Sequence, residues 1–167
     1  PMQANQARAF RVIQSGNANF DVYYSGYNKA REERLRMVNF PLTRGLLGHR
    51  MLIIRESSQE QFLGIKSLAQ LKKWISFGSG TTWPDTRVLR DAGFTVLTGE
   101  SADLWKMLRY GRFTAFPRGM QEVLPDLKRQ NTDPDQDPFV IEQGIILRYR
   151  FDEFFFLNKA DESKAAI

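Results

Sequence analysis

From Ser67 onward the chain repeats one arrangement: a stretch with helical spacing, a short β-branched or aromatic run, then small or turn-forming residues. Ser67 caps a helix reaching Trp74, because the segment Ser67-Leu68-Ala69-Gln70-Leu71 places a hydroxyl and a Gln at capping-box positions. Ile75-Ser76-Phe77 begins a strand that runs into Gly78-Ser79-Gly80-Thr81-Thr82. A helix across residues 84–92, a strand across 94–97, a helix across 101–110, a strand across 113–116 and a helix beyond Gly119 follow in turn. Alternation of this kind predicts a mostly parallel sheet flanked by helices, which places the chain in the α/β class.

The flanking segments follow the same grammar. Ala7, Phe10, Val12 and Ile13 are spaced for an amphipathic helix over residues 3–14, stopped by Ser15-Gly16-Asn17, and Phe20-Asp21-Val22-Tyr23-Tyr24 reads as a buried strand closed by Ser25-Gly26. Met37-Val38-Asn39-Phe40-Pro41 reads as a short strand ended by proline, adjoining a longer one over residues 46–54. Residues 131–138 are polar and hold two prolines, the mark of a loop; residues 145–150 and 154–157, the latter with Phe154-Phe155-Phe156 as a buried run, close the chain as strands. A length of 167 residues suits one domain or two small lobes.

Several classes of function find little support. No apolar run approaches the ~18 residues of a membrane-spanning helix, and Pro1-Met2-Gln3-Ala4-Asn5 lacks the layout of a signal peptide, so an exported form is expected to have lost its leader. Cysteine is absent and histidine occurs once, at His49, which removes disulfides, thiolate nucleophiles and the common metal-ligand sets; no metal and no cofactor is expected. Neither HExxH, a P-loop nor GxGxxG is present, and an enzyme reading would need a catalytic acid such as Asp85 or Glu122, neither of which has an evident partner in the sequence; no enzymatic activity is expected. The net charge is +5, yet Arg and Lys are interleaved with acids, as in Lys29-Ala30-Arg31-Glu32-Glu33-Arg34, so nucleic acid is not an expected partner.

The segment from Phe77 to Thr86 carries the strongest site signal. Gly78 and Gly80 let backbone approach a ligand, Thr81 and Thr82 offer hydroxyls, Trp83 can stack on a solute, and Pro84 suits the first turn of a helix whose free amides attract an anion; a tight strand-to-helix turn without a ligand explains the same residues. Arg31 and Arg34 lie near Tyr23, Tyr24 and Tyr27, where a guanidinium can hold a carboxylate bidentately, though Arg-Glu-Glu-Arg reads equally as a solvated helical turn. Arg118 follows the expected strand at its carboxyl end, where open α/β sheets bind ligands, whereas Arg112 precedes it and reads as structural. Trp74 and Trp105 have core-facing helical spacing.

Taken together, Gly16 with Phe20-Asp21-Val22, Arg31-Glu32, Phe40-Pro41-Leu42 and Arg44-Gly45-Leu46-Leu47-Gly48-His49-Arg50 are similar to type 2 periplasmic solute-binding proteins. Ser67-Leu68-Ala69-Gln70-Leu71-Lys72, Gly78-Ser79-Gly80-Thr81-Thr82-Trp83-Pro84-Asp85-Thr86, Gly111-Arg112-Phe113 and Phe116-Pro117-Arg118-Gly119 resemble the amino-acid-transporter-like substrate-binding family 3. The resemblance implies two α/β lobes joined by a hinge: residues 1–49 as part of lobe 1, residues 50–144 as lobe 2, and residues 145–167 as return strands at the hinge and lobe 1. The first lobe's opening strand and helix and the closing helices are not matched, so the first lobe is expected to be incomplete and the chain truncated at both ends.

A periplasmic monomer that captures a small solute in the inter-lobe cleft for a membrane transporter is the implied function; a ligand-sensing domain of a signalling receptor or transcription regulator is the alternative. The implied ligand contacts are Tyr24, Arg31 or Arg34, Gly78, Gly80, Thr81, Thr82, Trp83 and Arg118. Arg34 matches the family's carboxylate-holding arginine by spacing and Arg31 by its Arg-Glu pair. Arg118-Gly119 and Thr114 stand where the family commonly has an aspartate for the ligand's amino group. The cationic replacement favours an anionic solute.

Overall fold

The computed structural model describes residues 6–16 and 19–160. Its elements are α1 (Gln6–Gln14), β1 (Val22–Gly26), α2 (Lys29–Arg34), β2 (Leu35–Met37), β3 (His49–Arg55), α3 (Glu60–Leu63), α4 (Leu68–Trp74), β4 (Ser76–Gly80), α5 (Pro84–Asp91), β5 (Thr95–Gly99), α6 (Ser101–Arg109), β6 (Phe116–Gly119), α7 (Met120–Gln130), β7 (Phe139–Arg148) and β8 (Glu153–Asn158). Two compact units result: unit 1 takes in Pro1–Gly45 and Phe151–Ile167, unit 2 Leu46–Arg150. Residues 46–49 and 145–150 thus lie with unit 2, because His49 opens β3 and residues 145–148 complete β7, which pairs with it.

Unit 2 owes its organisation to β3, whose run Met51-Leu52-Ile53-Ile54 is apolar on both faces, as a strand covered from both sides must be. Leu52 and Ile54 enter a core with Phe62 of α3, Leu71 of α4, Phe77 of β4 and Leu89 of α5. Ile53 points the other way, among Leu104, Trp105 and Leu108 of α6, Val123 of α7, Phe113, Phe116 and Phe139. Helices therefore cover both faces of the sheet.

β4 and β5 pair in parallel, Phe77 bridges Ala115 in parallel, and β3 pairs antiparallel with β6 on one side and β7 on the other. The spatial order is β5-β4-β6-β3-β7, with β3 running against the other strands. The parallel part is the one encoded by the repeat after Ser67.

Unit 1 is built differently. Its three-stranded sheet, β1-β8-β2, is wholly antiparallel, with Tyr23 opposite Phe156 and Leu35 opposite Asn158. α1 covers one face: Phe10 meets Tyr23 and Phe156 edge-on at ring separations of 5.3 and 5.5 Å, and Ile13, Leu35 and Phe156 form the small core. Asn158 Nδ2 donates to the Ile13 carbonyl at 2.8 Å, satisfying one of the helix's C-terminal acceptors.

Several expectations are corrected. The strand expected at residues 37–41 is β2, ending at Met37, and it adjoins β8 rather than β3; Arg44 and Gly45 take left-handed conformations (φ 50° and 82°) that turn the chain between the two. The strand expected at residues 113–116 is β6 at residues 116–119, because Thr114 spends its amide on Ser76 and Pro117 sits inside the ladder opposite Leu52 instead of ending it. Trp74 lies outside the core, and of the Phe154–156 run only Phe156 is fully buried. For the α4 cap, Ser67 Oγ accepts the Gln70 amide as expected, but Gln70 Oε1 accepts from Lys66 N at 2.8 Å, one residue before the capping serine. The first residues of the helix expected over 3–14 lie outside the described residues, as does Asn17 of its stop signal.

Asp152 organises the turn before unit 2. Its carboxylate accepts from Thr43 N at 2.8 Å, Thr43 Oγ1 at 2.7 Å, Glu153 N at 2.7 Å, and Gly45 N. Burial pushes its pKa up, but these hydrogen bonds together hold it below the ordinary value of 3.8. The folded-state pKa being the lower, its stabilisation is complete above the unfolded-state value and lost as pH falls through the folded-state one. The protection factors of the Thr43, Gly45 and Glu153 amides, taken against the intrinsic exchange rate at each pH, are expected to fall as pH drops below about 4, and Asp152→Asn to flatten that dependence, as read by hydrogen exchange with mass spectrometry.

Candidate functional site

β4 ends at Gly80 and α5 begins at Pro84, so residues 81–83 form the turn at the carboxyl end of a parallel strand, the position where open α/β sheets bind ligands. Thr86 braces this turn from within α5: its Oγ1 donates to the Gly80 carbonyl at 2.6 Å, with Ser79 Oγ at 2.8 Å. Trp83 N donates to the Gly80 carbonyl at 3.0 Å and Thr81 N to that of Gly99 at 3.2 Å. Thr81 and Thr82 are left exposed, side by side, at the mouth of the turn.

The glycines serve the packing. A Cβ on Gly78 would lie 2.1 Å from the Phe113 ring, and one on Gly80 2.4 Å from that of Trp83. Both glycines are therefore seats for aromatic rings on the side a Cβ would occupy. Trp83 itself stacks on Phe116 at 6.1 Å with an interplanar angle of 12°, while the Arg118 guanidinium carbon lies 5.2 Å from its ring centre.

Beside the turn lies a network that the sequence reading missed. Arg50 is only 4% exposed. Its Nη2 meets Asp85 Oδ1 at 2.6 Å, its Nη1 meets Glu122 Oε2 at 3.4 Å, and its Nε donates to Tyr149 Oη at 3.0 Å. Tyr149 Oη in turn donates to Asp85. Burial opposes the Arg50 charge, but Asp85, Tyr149 and Glu122 outweigh it and raise its pKa; burial and then the Asp85 charge raise that of Tyr149, so the phenol stays a donor. Asp85 and Glu122, weighed above as acids without a partner, are committed to this network. The missed signal is periodicity: Arg50 shares a strand face with Leu52 and Ile54, and a cation at a core-facing position needs a partner.

Arg118 belongs to the same network. Its Nε donates to Asp126 Oδ2 at 2.7 Å and its Nη2 to Glu122 Oε1 at 2.9 Å, while Arg129 also pairs with the buried Asp126. Lying within β6, Arg118 is already neutralised by carboxylates of α7. The argument that it selects an anionic solute therefore loses its physical basis.

In unit 1, Arg31 donates to Ser25 Oγ at 2.9 Å, the Gly26 carbonyl at 2.7 Å and Gln6 Oε1 at 3.0 Å, with its guanidinium carbon 4.5 Å from the Phe10 ring centre. It ties α1 to β1. Arg34, in the last turn of α2, is exposed; Tyr24 is exposed and stacks against Tyr23 at 6.1 Å.

No protein-family model matches the chain, and no curated protein sequence matches it. Solved structures do. An amino acid ABC transporter substrate-binding protein, AbpA from Streptococcus pneumoniae, bound to L-arginine, aligns at TM-score 0.69 and 16% identity over 99% of this chain and 64% of that one. An ancestral arginine-binding protein bound to arginine aligns at 0.65 and 16% over 99% and 68%, and the periplasmic VFT2 domain of Bordetella pertussis BvgS at 0.66 and 14% over 92% and 60%. The chain spans about two thirds of the length of each. Its fold is the α/β fold of the type 2, family 3 solute-binding proteins.

Proposed function

We propose that this chain is a solute-binding module of a periplasmic transport system, which captures a small amino-acid-like solute without changing it chemically. The observation that carries the reading is the braced β4–α5 turn, which leaves Thr81 and Thr82 exposed at the carboxyl end of a parallel strand while the Trp83 ring packs over Gly80 and on Phe116. The fold's occurrence in an amino acid ABC transporter substrate-binding protein supports the transporter partner, and its occurrence in the BvgS periplasmic domain supports the periplasmic setting. Within unit 1, Arg31 spends its donors on Ser25, Gly26 and Gln6, whereas Arg34 is exposed. Tyr24 offers an exposed ring.

The solute's net charge is not set by Arg118, whose charge Asp126 and Glu122 offset. Binding rather than turnover is supported by the commitment of Asp85 and Glu122 to guanidinium groups, since a general acid or base needs a proton-exchanging partner in reach of substrate. A second reading, the ligand-sensing domain of a receptor or regulator, is favoured by the likeness to the BvgS periplasmic domain. The two differ in what the loaded chain stimulates, uptake or signalling.

The reading is tested by titrating neutral, basic and acidic amino acids into the chain while following tryptophan fluorescence. Thr81→Val and Thr82→Val are each expected to weaken binding about tenfold, the cost of a lost hydrogen bond in a desolvated site. Affinity unchanged by both variants and by Trp83→Leu would remove the turn from the site.

A further inference from the structure

Arg55 closes β3 with a guanidinium that meets no acceptor. Among the described residues, the other arginines that are buried or half-buried, Arg31, Arg36, Arg50, Arg109 and Arg118, each donate to one; half-buried Arg55 does not, and its Nε is shut off from solvent. A Cβ on Gly111 would lie 3.2 Å from Arg55 Nη2 and 3.3 Å from Nη1, so the fork rests on that exposed glycine, which takes a left-handed conformation (φ 66°) just past α6. Arg55 is the partner of Phe139 across the β3–β7 ladder, and partners in a ladder share a face. The guanidinium carbon of Arg109 lies 4.0 Å from the centre of the same Phe139 ring, so two guanidiniums flank one side chain. Among the described residues neither is in an ion pair. Asp137 offers Arg109 only its carbonyl, its carboxylate being taken by the Ser57 amide at 3.2 Å and the Ser57 hydroxyl.

We propose that Arg55 and Arg109 form a phosphate-binding site in unit 2, with the Arg55 Nη groups as its first donors. A guanidinium presents a planar fork that oxyanion oxygens accept in pairs. Two cations without an ion-pair partner match the charge of a phosphate, about −1.5 to −2 at pH 7, better than that of a single carboxylate. Arg112, exposed and next to Gly111, adds to the local positive field. The site is separate from the turn at residues 81–83, because β3 runs against β4 and its last residue lies at the other end of the sheet. The inference is therefore independent of the solute-binding reading.

The test is calorimetric titration of the chain with inorganic phosphate, with glycerol phosphate and with chloride, all at matched ionic strength. Saturable binding of one phosphate group per chain is expected, and none of chloride. Tighter binding of the ester would make a phosphorylated metabolite the natural ligand; tighter binding of the inorganic ion would make it free phosphate. Arg55→Gln and Arg109→Gln are each expected to weaken binding about tenfold, the loss of a charge-assisted hydrogen bond. Arg55→Lys, which keeps the charge and loses the fork, is expected to fall between Arg55→Gln and the parent. Because Arg55 meets no acceptor, its variants are expected to keep the melting temperature of the free chain. Arg87→Gln, an exposed position on α5, is the control and is expected to bind as the parent does. No saturable binding of either phosphate, equal binding of chloride, full affinity in Arg55→Gln, or an equal loss in Arg87→Gln overturns the proposal.

Discussion

Arg50→Ala is expected to destabilise unit 2 by about 4 kcal/mol, the cost of removing one partner from a buried ion pair. The substitution leaves Asp85 and Tyr149 beside a void and takes one cation from Glu122, so the loss exceeds the removed packing. Against a typical total stability of about 5–15 kcal/mol, this brings the unit near its threshold. All three tryptophans, Trp74, Trp83 and Trp105, lie in unit 2, so urea denaturation followed by their fluorescence reads that unit. In the double variant Arg50→Met with Asp85→Leu, apolar side chains replace both charges, and a coupling of about 1–3 kcal/mol relative to the summed single variants is expected. Strict additivity would show that the pair contributes nothing.

Gly78→Ala is expected to cost about 3 kcal/mol through overpacking, although glycine to alanine inside a strand ordinarily stabilises by about 0.5–1 kcal/mol. The steric effect wins because the new methyl carbon would lie between 2.1 and 2.5 Å from three atoms of the Phe113 ring, which is itself buried and has nowhere to move. Gly144→Ala, whose nearest neighbour would be Glu142 Oε1 at 3.5 Å, is the control and is expected to lie within about 0.5 kcal/mol of the parent. If both substitutions were equally mild in thermal unfolding, Gly78 would be free for the ligand-approach role inferred from sequence.

The α/β pattern after Ser67 was legible because each element there announces itself locally: Ser67 caps α4, Pro84 starts α5, and Gly93 and Gly111 take the left-handed conformation just past their helices. β3 escaped a directional reading because its two neighbours, β6 and β7, come from distant parts of the chain and its apolar run looks alike in either orientation. Pro117 misled for a related reason, since a proline that seems to end a strand can also lie within one. Trp74 misled because a helical period identifies a face without saying what covers it.

The site was half legible. Its turn is contiguous, so Thr81, Thr82 and Trp83 could be read as a unit. The network beside it draws Arg50, Asp85, Glu122 and Tyr149 from four separate segments, and only folding reveals that Arg118 meets α7 before it could meet a solute.

Equilibrium dialysis of the chain against a labelled amino acid, with the retained solute recovered and identified by mass spectrometry, tests the central claim most directly. The predicted result is one molecule retained per chain, chemically unchanged, accompanied at a hundredfold excess over its dissociation constant by about 2.7 kcal/mol of added stability. Recovery of a converted product, or no retention across neutral, basic and acidic amino acids, would contradict it.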